Sequence, residues 1–234
     1  VPTLLADLTT LRLGGPAGKV VPVTSRDEIV DAVLSADADG EPMLLVAGGS
    51  NLVVADAGWP GTVVLLRAPE PEWGWTGYGG ADITVTVAAG QRWDAFVAAT
   101  VQLGWSGLAP MSGIPGTVGA TPVQNVGAYG AEVAEFITSL TVLDRETRDI
   151  SSWTPERCGF GFRTSAFKHT DRYVVLDVSF QLSTRPDTTA VRYVELARRL
   201  GVEPGHSAPS ARVRDVVLEL RRSKGMLLDP ADHD

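Results

Sequence analysis

Residues 112–130 read Ser112-Gly113-Ile114-Pro115-Gly116-Thr117-Val118-Gly119-Ala120-Thr121-Pro122-Val123-Gln124-Asn125-Val126-Gly127-Ala128-Tyr129-Gly130, with five glycines, two prolines and no charged side chain. Segments this long without a helical or strand period are usually functional or disordered. This one is too apolar, and too regularly punctuated by proline, for disorder. Glycine lets a ligand approach the backbone closely, and successive main-chain N–H groups in such turns form anion-binding concavities. The segment therefore reads as backbone wrapped around a large polar ligand, with a diphosphate neutralised by dipoles instead of ionic side chains. An elaborate structural loop is the competing reading and carries less weight.

Working outward, Ile83 to Ala88 alternates as a strand, and Trp93 to Leu103 is an amphipathic helix stopped at Gly104. Downstream, Ile137 to Asp144 and Tyr173 to Leu182 read as strands, and Ser183 to Ala190 as a polar loop. Val191 to Leu200 and Ala211 to Lys224 read as helices, with Ser210 a candidate N-cap and Gly225 a stop. Near the N-terminus, Lys19 to Val23 is a short apolar strand. Ser25-Arg26-Asp27-Glu28 follows with a capping-box pattern. Ile29, Val30, Val33 and Leu34 give that helix its apolar stripe, and Gly40 ends it. Met43 to Ala47 is the continuous apolar run expected of a strand buried on both faces, and Leu52 to Val54 and Thr62 to Leu66 read as two more. The expected division is a first α/β subdomain over 1–67, a second over 68–190, and a helical segment over 191–234. Residues 68–80, with Trp73 and Trp75, read as an exposed connector.

Composition bounds the function classes. At 44% hydrophobic and 21% charged, the 234 residues describe a globular protein and not a collagen, coiled coil or disordered chain. Lys+Arg of 20 against Asp+Glu of 28 gives a net charge of −8, a poor field for nucleic acid or anionic membrane. Neither is expected as a partner. One cysteine, Cys158, and three scattered histidines (His169, His206, His233) exclude a disulfide and argue against a zinc site. No signal peptide is visible at Val1-Pro2-Thr3-Leu4-Leu5, and the cytoplasm is the expected compartment.

A second glycine-rich bend, Ala47-Gly48-Gly49-Ser50-Asn51, follows a strand and adds two side-chain donors. Taken alone it favours a plain tight turn. No G-x-G-x-x-G fingerprint lies between a strand and a helix, and no P-loop is present, so the common nicotinamide-binding fold is disfavoured. Phe160-Gly161-Phe162-Arg163-Thr164-Ser165-Ala166-Phe167-Lys168 places an arginine among aromatics. An arginine so flanked is often a packed, partly buried cation able to clamp a carboxylate or a developing enolate, but taken alone this one reads as a surface arginine. Lys224 near a helix end would by itself answer the helix dipole, and Tyr193 would pack on a helix face.

In combination these segments, with Thr9-Thr10-Leu11-Arg12-Leu13-Gly14-Gly15, resemble the UDP-N-acetylenolpyruvoylglucosamine reductases of bacterial peptidoglycan synthesis. The resemblance implies an α+β fold of the FAD-binding p-cresol methylhydroxylase type, with FAD as cofactor and NADPH as hydride donor. It places FAD against Ala47, Gly48, Gly49, Ser50, Asn51 and Leu52 of the first bend. In the second bend it implies Ser112, Gly113, Ile114, Pro115, Gly116, Thr117, Gly119, Ala120, Gln124, Asn125, Gly127 and Ala128, and later Val175. Arg163 matches the catalytic arginine. Tyr129, Arg163, Tyr193 and Lys224 would face a small-molecule nucleotide-sugar, and a monomer is expected. As the resemblance implies it, hydride passes from NADPH to the flavin and then to the enolpyruvyl ether, while Arg163 stabilises the carboxylate as it gains enolate character.

The family's proton-donating serine, in a Gly-Ser-Phe-Phe motif, and its later assisting glutamate are absent from these residues. The chain is thus expected to be a flavin-binding portion without its substrate-binding domain, and catalytically defective alone. Another FAD-dependent oxidoreductase of the same superfamily and a non-catalytic flavin or nucleotide-sugar binding module are the alternatives.

Overall fold

A computed structural model describes residues 2–67, 82–187 and 189–227. The connector at 68–80, with Trp73 and Trp75, and His233 lie outside the described residues. The chain opens with a 3-10 turn at Leu5–Leu8, then β1 (Ala17–Val23), α1 (Arg26–Ala38), β2 (Met43–Val46) and β3 (Trp59–Leu66). The capping box forms: Ser25 Oγ accepts from Glu28 N–H, and the Glu28 carboxylate accepts from Ser25 N–H. The strands make a parallel sheet ordered β1-β3-β2. Because β3 is central, its alternate residues face two cores. Val64 and Leu66 join α1, and Val63 and Leu65 join Leu5 and Val46.

The second part begins with β4 (Asp82–Ala88) and α2 (Trp93–Gln102), then runs through 3-10 turns at Ala109–Met111 and Val118–Ala120. A small hairpin follows, β5 (Gly127–Ala128) with β6 (Ala131–Glu132), and a 3-10 turn at Val133–Glu135 leads into β7 (Ile137–Asp144). β8 (Ile150–Trp153), a single helical turn α3 (Pro155–Cys158) and β9 (Tyr173–Ser183) complete an antiparallel sheet ordered β4-β9-β7-β8. Its main core joins Trp93 and Phe96 of α2 to Phe180 and Leu182 of β9. Val174 and Leu176 of β9, with Leu143 of β7, pack instead with Ile29, Val33, Val64 and Leu66, so the two sheets share a core through α1. The short strands β10 (Thr189–Ala190) and β11 (Ser207–Ala208) pair around α4 (Val194–Leu200), and α5 (Ser210–Ser223) follows. α5 buries Val213, Val217 and Leu220 against Leu196 of α4 and Ala109.

Several sequence expectations are corrected. β2 is an edge strand whose first three residues are only half-buried; the strand covered on both sides is β3. Leu52 to Val54 keeps its alternation, with Leu52 and Val54 against the small N-terminal core and Val53 75% exposed, but it forms no ladder among the described residues. The helix expected from Val191 starts at Val194, because the Val191 backbone is already bonded to His206 O and to Gly205 N–H. Ser210 is the first helical residue and not the cap. Its hydroxyl is buried 2.7 Å from that of Thr189. β8 and the two-residue strands went unread. Among the described residues no helix is long and apolar enough to cross a membrane, and no cluster of three potential metal ligands occurs.

Candidate functional site

The two glycine-rich bends meet. A Cβ built on Gly48 would lie 2.8 Å from the Cα of Gly116, so neither bend could hold its position with a side chain at residue 48. The first bend leaves the C-terminal end of β2, where turns in parallel sheets are free to face a ligand. It is tied back to the N-terminal segment, with Thr10 N–H donating to Gly49 O at 3.2 Å. The second bend is strung across the end of the antiparallel sheet. Gly119 N–H donates to Ala89 O, and Val118 N–H to Gln91 O.

Between them lies a cleft of about 340 Å³ lined by Leu45, Ala47, Gly48, Gly49, Ser50, Asn51 and Leu52 on one side. Ile114, Pro115, Gly116, Thr117, Ala120, Thr121, Val123, Gln124 and Val126 line the other. None of these carries a formal charge. A second hollow of about 290 Å³ shares Leu45, Ala47, Thr117, Ala120 and Val123 with the first and continues past Gly119, Phe167, Tyr173, Val174 and Val175. The Thr117 hydroxyl, 4% exposed and bordering both hollows, has no hydrogen-bond partner. A buried hydroxyl without a partner is costly.

The structure thus gathers Ala47 to Leu52, Ile114 to Thr117, Gly119, Ala120, Gln124 and Val175 around one space. Other residues expected there serve the loop itself. Ser112 is fully buried and donates to Ala109 O at 2.7 Å. Gly113 has φ of 72° and donates to an Asp94 carboxylate oxygen at 2.6 Å. Asn125, 2% exposed, donates to Glu132 Oε2 and Gly161 O and accepts from Ala134 N–H, so its side chain is a fully engaged strut. Gly127 and Ala128 form the small hairpin. Thr121, Val123 and Val126 line the cleft without having been singled out. Their position inside the uncharged segment was the available signal.

Arg163 is exposed, as the stretch taken alone suggests, with φ of 54° on a turn whose Phe162 is 84% exposed; its guanidinium lies over the Phe162 ring, 5.9 Å from the centroid. Its Nη2 donates to Gly127 O at 2.8 Å, which sets it beside the far end of the second bend. Two residues on, Tyr129 meets Tyr193 edge-to-face at 5.5 Å between ring centroids. Lys224, beyond the end of α5, pairs with Glu195 at 3.2 Å, and that hydrogen bond raises its pKa. Arg163 and Tyr193 therefore sit beside the Gly127–Gly130 turn that carries Tyr129, and Lys224 lies within electrostatic reach of both tyrosines. Cys158 is buried, which pushes its thiol up to about 11 and removes it as a nucleophile.

The FAD binding domain family matches residues 17–148, more than half of the chain. The chain belongs to the FAD binding domain family. Within this FAD-binding family it is 50% identical to the UDP-N-acetylenolpyruvoylglucosamine reductase of Thermobifida fusca over 230 residues, covering 98% of this chain and 64% of that protein. To the enzyme of the same name from Salinispora arenicola it is 52% identical, covering 98% and 63%. The chain spans about six-tenths of the length of these curated relatives. Among solved structures it is similar to UDP-N-acetylenolpyruvylglucosamine reductase from Thermus caldophilus, with a TM-score of 0.68 and 26% identity over 95% of this chain and 69% of that one. Cholesterol oxidase from Brevibacterium sterolicum shares the fold alone, with a TM-score of 0.52 and 17% identity over 70% and 34% of the two chains. The α+β fold of FAD enzymes expected from the motifs is the fold this chain has, and the expected resemblance to the reductases extends over nearly all of it.

Proposed function

We propose that this chain is the flavin-binding part of a reductase of peptidoglycan precursor synthesis, which uses NADPH to convert UDP-N-acetylglucosamine enolpyruvate to UDP-N-acetylmuramate in the cytoplasm. In this reading 1–67 and 68–190 are the two flavin-binding subdomains, and 191–234 leads toward a substrate-binding domain. The observation that carries it is the apposition of Gly48 and Gly116 across a cleft whose lining is uncharged, bordered by Thr117 with its buried, unpartnered hydroxyl. These residues suit FAD: main-chain N–H groups and the hydroxyls of Ser50 and Thr117 would hold the diphosphate, and Val175 and Tyr173 would offer an apolar wall. Bound FAD supplies the hydride transfer. Arg163, fixed by one nitrogen to Gly127 O, presents positive charge where a substrate carboxylate takes on negative charge. Lys224, with Tyr129 and Tyr193 beside it, would meet the substrate diphosphate.

The test is a visible spectrum of the purified 234-residue chain with and without added FAD, followed by NADPH oxidation with the enolpyruvyl sugar nucleotide. Tight uptake of FAD with no substrate-dependent oxidation is the expected result. In a protein in which these residues are joined to a substrate-binding domain oxidation should appear, and there Arg163→Ala should lower kcat by about a hundredfold or more while leaving the flavin spectrum intact. A chain that takes up no flavin overturns the reading.

A further inference from the structure

The second bend is held from behind by an ionic frame that joins three distant parts of the chain. Asp94, in the first turn of α2, accepts the Gly113 N–H at 2.6 Å. The same carboxylate takes both terminal nitrogens of Arg214 from α5, at 2.6 and 2.9 Å. One helical face further along α5, Arg221 Nε donates to Gly113 O at 3.1 Å, and Arg221 Nη2 donates to Met226 O at 2.9 Å. Gly113 is therefore gripped at both its N–H and its C=O. Its φ of 72° would strain any other residue, and a Cβ there would push on the movable side-chain ends of Leu227 and Leu218 at 2.6 and 2.9 Å. Gly116, against which Gly48 packs, is three residues away.

We propose that Asp94 and Arg221 are positioning residues for the flavin-binding bend: they hold Gly113 and so preset the Ile114–Gly116 backbone that lines the cleft before the cofactor arrives. This inference rests on the flavin reading given above. Neither side chain lines the cleft, so they act through the bend and not by touching the ligand. Burial works against ionisation of Asp94, but the Arg214 hydrogen bonds, the Gly113 N–H and the fields of Arg214 and Arg221 outweigh it and lower the carboxyl pKa. The frame is thus ionised near neutrality. Fixing a loop in its bound geometry raises affinity by removing the cost of ordering it on binding. The Arg221 side chain also braces the turn that follows α5 through Met226 O, two residues beyond Lys224.

The experiment measures FAD dissociation constants for the flavin-stripped 234-residue chain, its Asp94→Asn, Arg221→Met and Arg221→Lys variants, and the Asp94→Asn/Arg221→Met double variant. All are titrated by flavin fluorescence at a temperature where circular dichroism shows each fully folded. Asp94→Asn and Arg221→Met should each bind FAD about ten- to a hundredfold more weakly. The double variant should be little worse than either single, because both act on one backbone unit. Arg221→Lys should recover part of the affinity. If the parent binds FAD and folded variants bind it equally well, the positioning inference fails while the flavin reading stands; if the parent binds none, both fail. Should Asp94→Asn not fold, the two Arg221 variants decide the matter.

Discussion

Gly48 and Gly116, 68 residues apart, are in backbone contact, and their closeness defines the width of the cleft. Gly48→Ala inserts a methyl 2.8 Å from a Cα that is held by its own loop. The bends must separate, at about 1–3 kcal/mol for an overpacked site. FAD affinity should fall by about tenfold or more, a larger proportional effect than the accompanying drop in Tm. Thermal melts and flavin titration of the same preparation check both.

Thr117→Val replaces an unpartnered buried hydroxyl by a methyl of similar shape. Without cofactor the substitution should leave stability unchanged or raise it by up to about 1 kcal/mol, because it removes a desolvated polar group. With FAD present the order should invert, the parent gaining more thermal protection than the variant. Melting both proteins across a range of FAD concentrations tests this.

Asp37 of α1 takes two nitrogens of Arg145, just beyond β7, with the side chains only 19% and 13% exposed. Their pairing raises the Arg145 pKa, chiefly through this hydrogen bond, and it fastens α1 to the antiparallel sheet. Asp37→Ala leaves the guanidinium only Asp171, through its carbonyl at 2.6 Å and its exposed carboxylate at 3.7 Å, and should cost about 1–2 kcal/mol, or roughly 2–8 °C in Tm for a chain of this size. Asp37→Ala combined with Arg145→Met should cost less than the sum. Urea denaturation of the three proteins gives the coupling.

Asp144 and Asp177 should respond oppositely to pH. The Arg172 hydrogen bonds lower the Asp144 pKa, so its contribution is present above the unfolded carboxylate range and is lost as pH falls through its folded value. Burial raises the Asp177 pKa despite Arg26 at 3.4 Å and a hydrogen bond from Thr141. Its contribution is present in acid and is lost as pH rises through its folded value. At pH 7, Asp144→Asn should lower Tm and Asp177→Asn should leave it unchanged or raise it, and both differences should shrink as pH falls toward 3. A Tm series from pH 3 to 8 reads out both signs.

What the sequence showed was what local chemistry determines. The Ser25 capping box and the Ile29–Val33 stripe specify α1 within a dozen residues, and alternation specifies β4, β7 and β9. β8 was missed because Ser151 and Ser152 dilute an edge strand that buries only Trp153. Asn125 looked like a ligand donor, and nothing nearby reveals that Glu132, Ala134 and Gly161 use up its amide. Asp94 and Arg214 lie 120 residues apart, so neither could be read as part of one frame. The motif resemblance pointed to both bends, but only the fold shows that they touch.

Among the described residues none that lines the cleft between the bends is a lysine, an arginine or an acid, so their grip on a diphosphate there comes from short-range, fixed dipoles. Mobile counter-ions screen exposed charges over roughly 10 Å at 0.1 M, but they do little to contacts from which they are sterically barred. Flavin retention should consequently be almost indifferent to ionic strength, and washing the loaded protein in molar potassium chloride should leave its yellow colour in place.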